Sequence, residues 1–205
     1  MAFADLAKSA LSLPSIFDLY QRLVGAPECH RRFLEVFAKP CAGERIIDLG
    51  CGTGASLAHL PKGISYVGVD IHSEYIRAAR ARFGPRGTFL CSDLTTANLS
   101  QFAKFDLAIS SGVLHHLDDA KAQAALKLAR EVVRPGGRLV TIDPCYVQGQ
   151  SPIAKFLNDH DRGRHIRDAE HYRQLFASEG CVETTVLSDM LRIPFPMIVA
   201  ISRFD

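Results

Sequence analysis

The segment Asp48-Leu49-Gly50-Cys51-Gly52-Thr53-Gly54 places an acid ahead of three glycines at alternate positions. Glycine permits a tight turn and lets backbone approach a ligand closely. A carboxylate two residues before the first glycine suits a cationic, amino-bearing ligand better than a pyrophosphate. Asp70 stands 20 residues beyond Gly50, where a carboxylate can accept hydrogen bonds from both hydroxyls of a ribose. Bonds of that charge-assisted kind contribute about 1.5–3 kcal/mol. Asp93 can accept from an adenine amino group. His115 and His116 form an adjacent imidazole pair, and an unperturbed imidazole, with a pKa of about 6.5, suits proton acceptance at neutral pH. Arg162, Arg164 and Arg167 crowd into one short stretch; a guanidinium fork matches a carboxylate or phosphate.

Such residues need a scaffold. Short apolar runs at 45–49, 66–69, 88–91, 105–109 and 138–142 alternate with amphipathic stretches, which predicts parallel strands with helices on both faces. Asp70 ends one strand and Asp93 follows another, and ligands of such sheets bind at the carboxyl ends of the strands. A helix is expected near 55–59. Ser73 is expected to N-cap the next, with Ile76, Ala79 and Phe83 facing inward. A long helix carries Ala122, Ala125, Leu126, Ala129, Val132 and Val133 until Pro135-Gly136-Gly137 stops it. Asp168 is expected to N-cap a helix carrying Tyr172, Leu175 and Phe176. Two last strands, 182–187 and 195–201, are too close for a crossover helix and predict an antiparallel hairpin. The first forty residues read as short helical pieces, with Ile16, Leu19, Tyr20, Leu23 and Val24 on one face and Phe33, Leu34, Val36 and Phe37 on another.

Composition narrows the class. The 205 residues are 47% apolar and 22% charged, with a net charge of +2. That suits one globular domain able to bury about 70% of its surface without disulfides. It excludes a collagen, a mucin-like stalk or a disordered tail, and it supplies no basic field for a polyanion. Six cysteines occur, none spaced Cys-x-x-Cys, so they are read as small buried residues and no metal is expected. No basic region followed by an unbroken apolar run opens the chain. The apolar stretch 193–201 is interrupted by Pro194 and Pro196 and is too short to span a membrane. A reduced, cytoplasmic protein is expected, with no membrane span.

Together the segments Glu44–Gly54, Val67-Gly68-Val69-Asp70, Cys91-Ser92-Asp93, 105–117 and 134–140 resemble the class I S-adenosylmethionine-dependent methyltransferases. The resemblance runs in order from about residue 44 to the C-terminal hairpin. It implies a Rossmann-like three-layer α/β sandwich whose seven-stranded, mostly parallel sheet has an antiparallel last strand between the fifth and sixth. It also implies S-adenosylmethionine as cofactor and S-adenosylhomocysteine as product. By this likeness Asp48, Gly50 and Cys51 lie near the methionyl end, and Gly52 and Gly54 allow close approach. Asp70 binds the ribose, Asp93 with Leu94 meets the adenine, and Ile71 and Ser110 are further expected cofactor-binding residues.

After the fourth strand stands Ser110-Ser111-Gly112-Val113, not the Asn/Asp-Pro-Pro-Tyr/Phe of amino methyltransferases nor a Pro-Cys nucleophile motif. Val113-Leu114-His115-His116-Leu117 resembles the small-molecule branch related to quinone-biosynthesis methyltransferases. His116 is the expected general base and His115 its alternative, the other reading being that one histidine packs on the cofactor and the other is structural. Tyr20 either caps the site or is a core tyrosine. Residues 1–40 form a helical cap segment and 41–205 the catalytic domain. The insert at 144–167 is a lid with a short helix near 153–157. Arg162, Arg164 and Arg167 either bind an anionic acceptor or pair with Asp159, Asp161 and Asp168 to hold the lid down. A small-molecule acceptor is expected as partner rather than nucleic acid; the oligomeric state is left open. Two other readings stand. Gly50-x-Gly52-x-x-Ala55 also fits a dinucleotide fingerprint, which suits an NAD(P)-dependent oxidoreductase. A non-catalytic S-adenosylmethionine-binding module would keep the same acids and glycines.

Overall fold

The computed structural model describes residues 25–161, 163–177 and 181–205. Tyr20, the apolar face that carries it, and Arg162 lie outside the described residues. Helix α1 (Ala26–Arg32) takes Pro27 into its first turn, where proline is tolerated. A π-helical turn, Phe33–Ala38, continues it and closes with the Lys39 amide on the Leu34 carbonyl at 2.7 Å. This wider i→i+5 turn breaks the expected stripe: Phe33 and Leu34 are buried, while Val36 is 49% exposed.

The alternating pattern follows. β1 (Arg45–Leu49) leads through the glycine turn and a 3₁₀ turn at Ala55–Ala58 to β2 (Ser65–Asp70) and α2 (Ser73–Phe83). The expected helix near 55–59 is only that 3₁₀ turn. Ser73 is the first helical residue; His72 occupies the N-cap position in extended geometry, without a side-chain cap. Next come β3 (Thr88–Cys91), β4 (Phe105–Ser111), a 3₁₀ turn at Leu114–His116, and α3 (Asp119–Val132). The Asp118 carboxylate caps α3 by accepting from the Lys121 amide. β5 (Val133–Tyr146) begins directly at the helix end, earlier than expected. The chain finishes with α4 (Pro152–Asp159), a two-residue β6 (Arg167–Asp168), α5 (Ala169–Phe176), β7 (Cys181–Leu187) and β8 (Met197–Arg203). Asp168 caps α5 through the His171 amide, as the sequence predicts.

The main sheet runs β3-β2-β1-β4-β5-β8-β7, with β8 antiparallel to both neighbours and β6 attached to β5. This is the mixed α/β sheet the sequence predicts, with one short strand more. Its two faces carry separate cores. Ile47, Ala108 and Leu139 pack with α3 and α5, whereas Ile46, Leu107, Ile109 and Val140 pack with α1, the π turn and α2. Alternation along each strand assigns the side, so Asp48 falls on the α2 face with Ile46. Among the described residues no helix is long and apolar enough to cross a membrane. Cys29, Cys51 and Cys145 are buried as expected, but Cys41 and Cys91 are exposed; all five are free.

The insert after β5 is tied down at several points. In α4, Ala154 and Asn158 are buried, and Asn158 Nδ2 donates to the Cys145 carbonyl at 3.2 Å. Tyr146 Oη donates to Asp159 at 2.8 Å. Arg167 is 4% exposed. Its guanidinium donates to Asp119 Oδ1 (2.8 Å) and to the carbonyls of Leu114 (2.9 Å), His165 (3.0 Å) and Leu117 (2.7 Å). A rigid fork with five donors fits this set; an ammonium does not. Replacing Arg167 with Met should therefore lower stability by about 1–3 kcal/mol for each buried carbonyl left unpaired, read as a fall in the urea midpoint. Arg167→Lys should recover only part of it, and an unchanged midpoint in Arg167→Met would contradict the clamp.

Candidate functional site

The glycine turn is seated on the end of β2. The amides of Gly50 and Cys51 both donate to the Val69 carbonyl, at 2.7 and 2.9 Å. The Gly52 amide donates to Asp70 Oδ2 at 2.9 Å, and the Gly54 amide returns to the Cys51 carbonyl at 2.9 Å. All three glycines have positive φ, but their surroundings differ. A Cβ on Gly50 would stand 2.3 Å from Val113 Cγ2, and one on Gly54 would stand 3.0 Å from the Phe83 ring. One on Gly52 would meet nothing within 4 Å. The turn is therefore packed on two sides and open at Gly52, next to the Asp70 carboxylate.

Asp70 also accepts from the His72 amide (2.8 Å) and faces His72 Nδ1 at 3.0 Å. Ile71, directly beyond it, is 57% exposed. Asp93 accepts from the Thr95 amide and hydroxyl through one oxygen, and these bonds hold its carboxyl below the usual range. Leu94 is buried beside it. Asp70, Ile71, Asp93 and the Gly52 face thus gather at the carboxyl edge of the sheet, as the sequence predicts.

Two of the expected cofactor contacts already have protein partners. Asp48 is 1% exposed and accepts from Tyr66 Oη at 2.9 Å. Burial pushes its carboxyl up to about 7, against the pull of hydrogen bonds from Tyr66 and Ser56. The reason is strand alternation, which turns position 48 into the α2-side core rather than past the strand end. Ser110 is likewise buried and donates to the Leu49 carbonyl at 3.0 Å, tying β4 to β1. Cys51 is buried against Gly68, where a Cβ would lie 2.7 Å from its sulfur.

The two histidines separate sharply. His115 is 5% exposed. Its Nδ1 donates to Asp143 Oδ1 at 2.9 Å, its amide reaches the same oxygen at 3.2 Å, and Nε2 faces Asp161 Oδ1 at 3.4 Å. Burial pulls this imidazole down, but Asp143 and Asp161 outweigh it and hold it up at about 9. His115 therefore keeps its proton at neutral pH and is a poor base. His116 is exposed, its ring centroid 4.1 Å from that of His115. Arg167, expected as a substrate contact, is consumed by its clamp, and its acid partner is Asp119 rather than Asp159, Asp161 or Asp168. Arg164 is exposed. Sequence reasoning missed Asp143, whose position inside an apolar strand run was the available signal, and treated Asp161 only as a lid counter-ion.

A family model described as a methyltransferase domain matches residues 46–137. An uncharacterised methyltransferase of Mycobacterium bovis is 36% identical over 105 residues, covering 50% of this chain and 52% of that one. A ubiquinone biosynthesis O-methyltransferase of Idiomarina loihiensis is 29% identical over 111 residues, covering 52% of this chain and 45% of that one. The chain thus spans about half the length of these curated relatives. The solved structure of a TehB-like S-adenosylmethionine-dependent methyltransferase from Corynebacterium glutamicum superposes with a TM-score of 0.68 at 20% identity, covering 94% of this chain and 98% of that one.

The geometry of the turn has two measurable consequences. Gly50→Ala should destabilise the fold by about 1–3 kcal/mol, through its left-handed φ and its overlap with Val113; Val113→Ala in the same chain should relieve the overlap but not the backbone cost. For Asp48, the folded pKa of about 7 lies above the ordinary 3.8. Between those values the folded state holds a proton that the unfolded state has lost, so this group lowers stability as pH rises through the window. Asp48→Asn should flatten that dependence in thermal melts taken across it, and melts as steep as the parent's would refute the assignment.

Proposed function

We propose that this chain is a class I methyltransferase that transfers a methyl group from S-adenosylmethionine to a small-molecule acceptor, a reading supported by the methyltransferase-domain match over residues 46–137 and by the β3-β2-β1-β4-β5-β8-β7 sheet. The observation that carries the reading is the open face at Gly52, with Asp70 beside it and exposed Ile71 beyond. Asp70 Oδ2 accepts only from the Gly52 amide and keeps a lone pair for a ribose hydroxyl; at Oδ1 the exposed His72 ring is the contact a second hydroxyl would replace. Ile71 offers an apolar surface to a purine, and Asp93 an acceptor for its amino group. When bound, the cofactor supplies a methyl group already activated on a sulfonium. What remains for the protein is positioning, exclusion of water and removal of a proton from the acceptor.

His116 is the residue assigned to that proton. It is exposed at the turn after β4, while His115 behind it is held as an imidazolium by Asp143 and Asp161. The insert and the N-terminal segment 1–40, with Tyr20, choose the acceptor. Of the three insert arginines, Arg164 is the described one available to an anionic acceptor; Arg162 lies outside the described residues. Similarity to a ubiquinone biosynthesis O-methyltransferase supports an acceptor of small-molecule size. The dinucleotide alternative loses its ground, because the matched domain runs through the same Gly50, Gly52 and Ala55.

Calorimetry should show saturable binding of S-adenosylhomocysteine, weakened at least tenfold in Asp70→Ala, as expected when a charge-assisted bond of about 1.5–3 kcal/mol is lost. Absence of binding to the parent protein would end the proposal. In a methyl-release assay against pooled small metabolites, His116→Ala should lower turnover about 10²–10⁴-fold with unchanged cofactor affinity. Binding without any methyl release would favour the non-catalytic module.

A further inference from the structure

The turn after β4 and the insert bring the adjacent His115 and His116 together with Asp161, which lies 45 residues beyond His116 in the sequence. His115, His116 and Asp161 each present a ligand atom, and these atoms all lie within 4.8 Å of one another. We propose that His115 Nε2, His116 and Asp161 form a binding site for a non-redox divalent metal ion of the zinc class, with one coordination position left open; the ion takes the place of the Nε2 proton, which is released to solvent, while Nδ1–H stays on Asp143.

The His115–Asp161 separation fits an ion better than a direct bond. A charge-assisted N–H···O bond closes to about 2.7–2.9 Å, yet His115 Nε2 and Asp161 Oδ1 stand 3.4 Å apart. Two ligands on one tetrahedral zinc, each about 2.0–2.1 Å from it, stand about 3.4 Å apart. Two imidazoles and a carboxylate are the donor set of such ions.

The surroundings are those of a built ligand set. A metal-bound imidazole commonly gives its other nitrogen to a carboxylate, which fixes the ring and raises the basicity of the ligating nitrogen. Asp143, 1% exposed, does this for His115 through Nδ1 at 2.9 Å. Ligating carboxylates are themselves hydrogen-bonded, and Asp161 Oδ1 accepts from the Gly163 amide at 2.6 Å. The backbone around the ring is fixed as well. The His165 amide donates to the His115 carbonyl at 2.9 Å, and a Cβ on Gly163 would stand 2.0 Å from the His115 ring. His116 is exposed and already presents a ring nitrogen within 4.8 Å of the other two ligand atoms.

A coordinated His116 has no lone pair left to accept a proton. With the ion in place, an acceptor oxygen in the open position would be acidified by the metal and His116 would support proton removal as a ligand; in the ion-free chain it has the base role assigned above. The site itself stands apart from the methyl-transfer reading, and it is tested without cofactor or acceptor.

The full chain, freed of metal with a chelator, is titrated with cobalt(II), whose tetrahedral complexes show a strong visible ligand-field band. One saturable equivalent is expected, displaced by zinc, and zinc should raise the thermal transition. His116→Ala and Asp161→Asn should each weaken binding at least tenfold. Both positions are at least partly exposed, and far-ultraviolet circular dichroism checks that the variants fold. His59→Ala, whose charged neighbours are Arg31, Glu28, Glu35 and Arg82, should bind as the parent does. The proposal fails if the parent binds no saturable equivalent, if His116→Ala and Asp161→Asn bind like the parent, or if His59→Ala weakens binding as much as they do.

Discussion

The site hangs on a small set of hydrogen bonds between the glycine turn and the end of β2. One carbonyl, that of Val69, receives two successive amides, and the adjoining Asp70 carboxylate receives a third. Three amides in a row can converge on one strand end only if the backbone curls through left-handed conformations, which glycine adopts without steric cost. This seat draws the carboxyl ends of β1 and β2 into one edge. It also spends part of Asp70 on the protein itself, so the carboxylate is already oriented before any ligand arrives. Preorganisation of this kind spares a binding step the cost of ordering the group.

A second constraint lies across the sheet, where the insert is fastened over the turn that carries the histidines. Arg167 gathers the carbonyls of Leu114 and Leu117 from that turn, the carbonyl of His165 from the insert, and the carboxylate of Asp119 from α3. His115 is enclosed by the same two segments, between Asp143 on β5 and Asp161 on the insert. A buried imidazole between two acids is costly unless it carries a charge of its own. The insert, the histidine pair and the end of β5 therefore form one electrostatic unit. A cation is required at its centre, supplied by a proton or by a metal ion.

Much of this was legible because local patterns are strong here. Five strands were placed within a few residues, since short apolar runs bounded by glycine and acid leave little choice of period. The acid cap of α5 at Asp168 and the C-terminal hairpin followed from residue type and spacing alone. Failures came where neighbours outside the segment decide. Val36 left its stripe because a π turn widened the helix, and Ser73 fell inside its helix because the His72 carbonyl accepts the first intrahelical bond, from the Ile76 amide, which makes residue 72 the N-cap. Asp48 and Ser110 sit in strand-end motifs that suit ligand binding, yet alternation and packing turn both toward protein partners.

The sequence by itself determined which edge of the sheet could hold a ligand. Period-two strands followed by glycine or acid fix the direction of every strand end, and that is a local property of the chain. It could not determine how the histidine pair divides its labour, or which charge each insert arginine meets. Those outcomes depend on groups brought close from distant positions: Asp143 on β5 and Asp161 on the insert hold His115 as a cation, while Asp119 on α3 and three backbone carbonyls consume Arg167. Electrostatic partnership and burial exist only once the chain has folded, because proximity across the fold, and not along the chain, sets their strength.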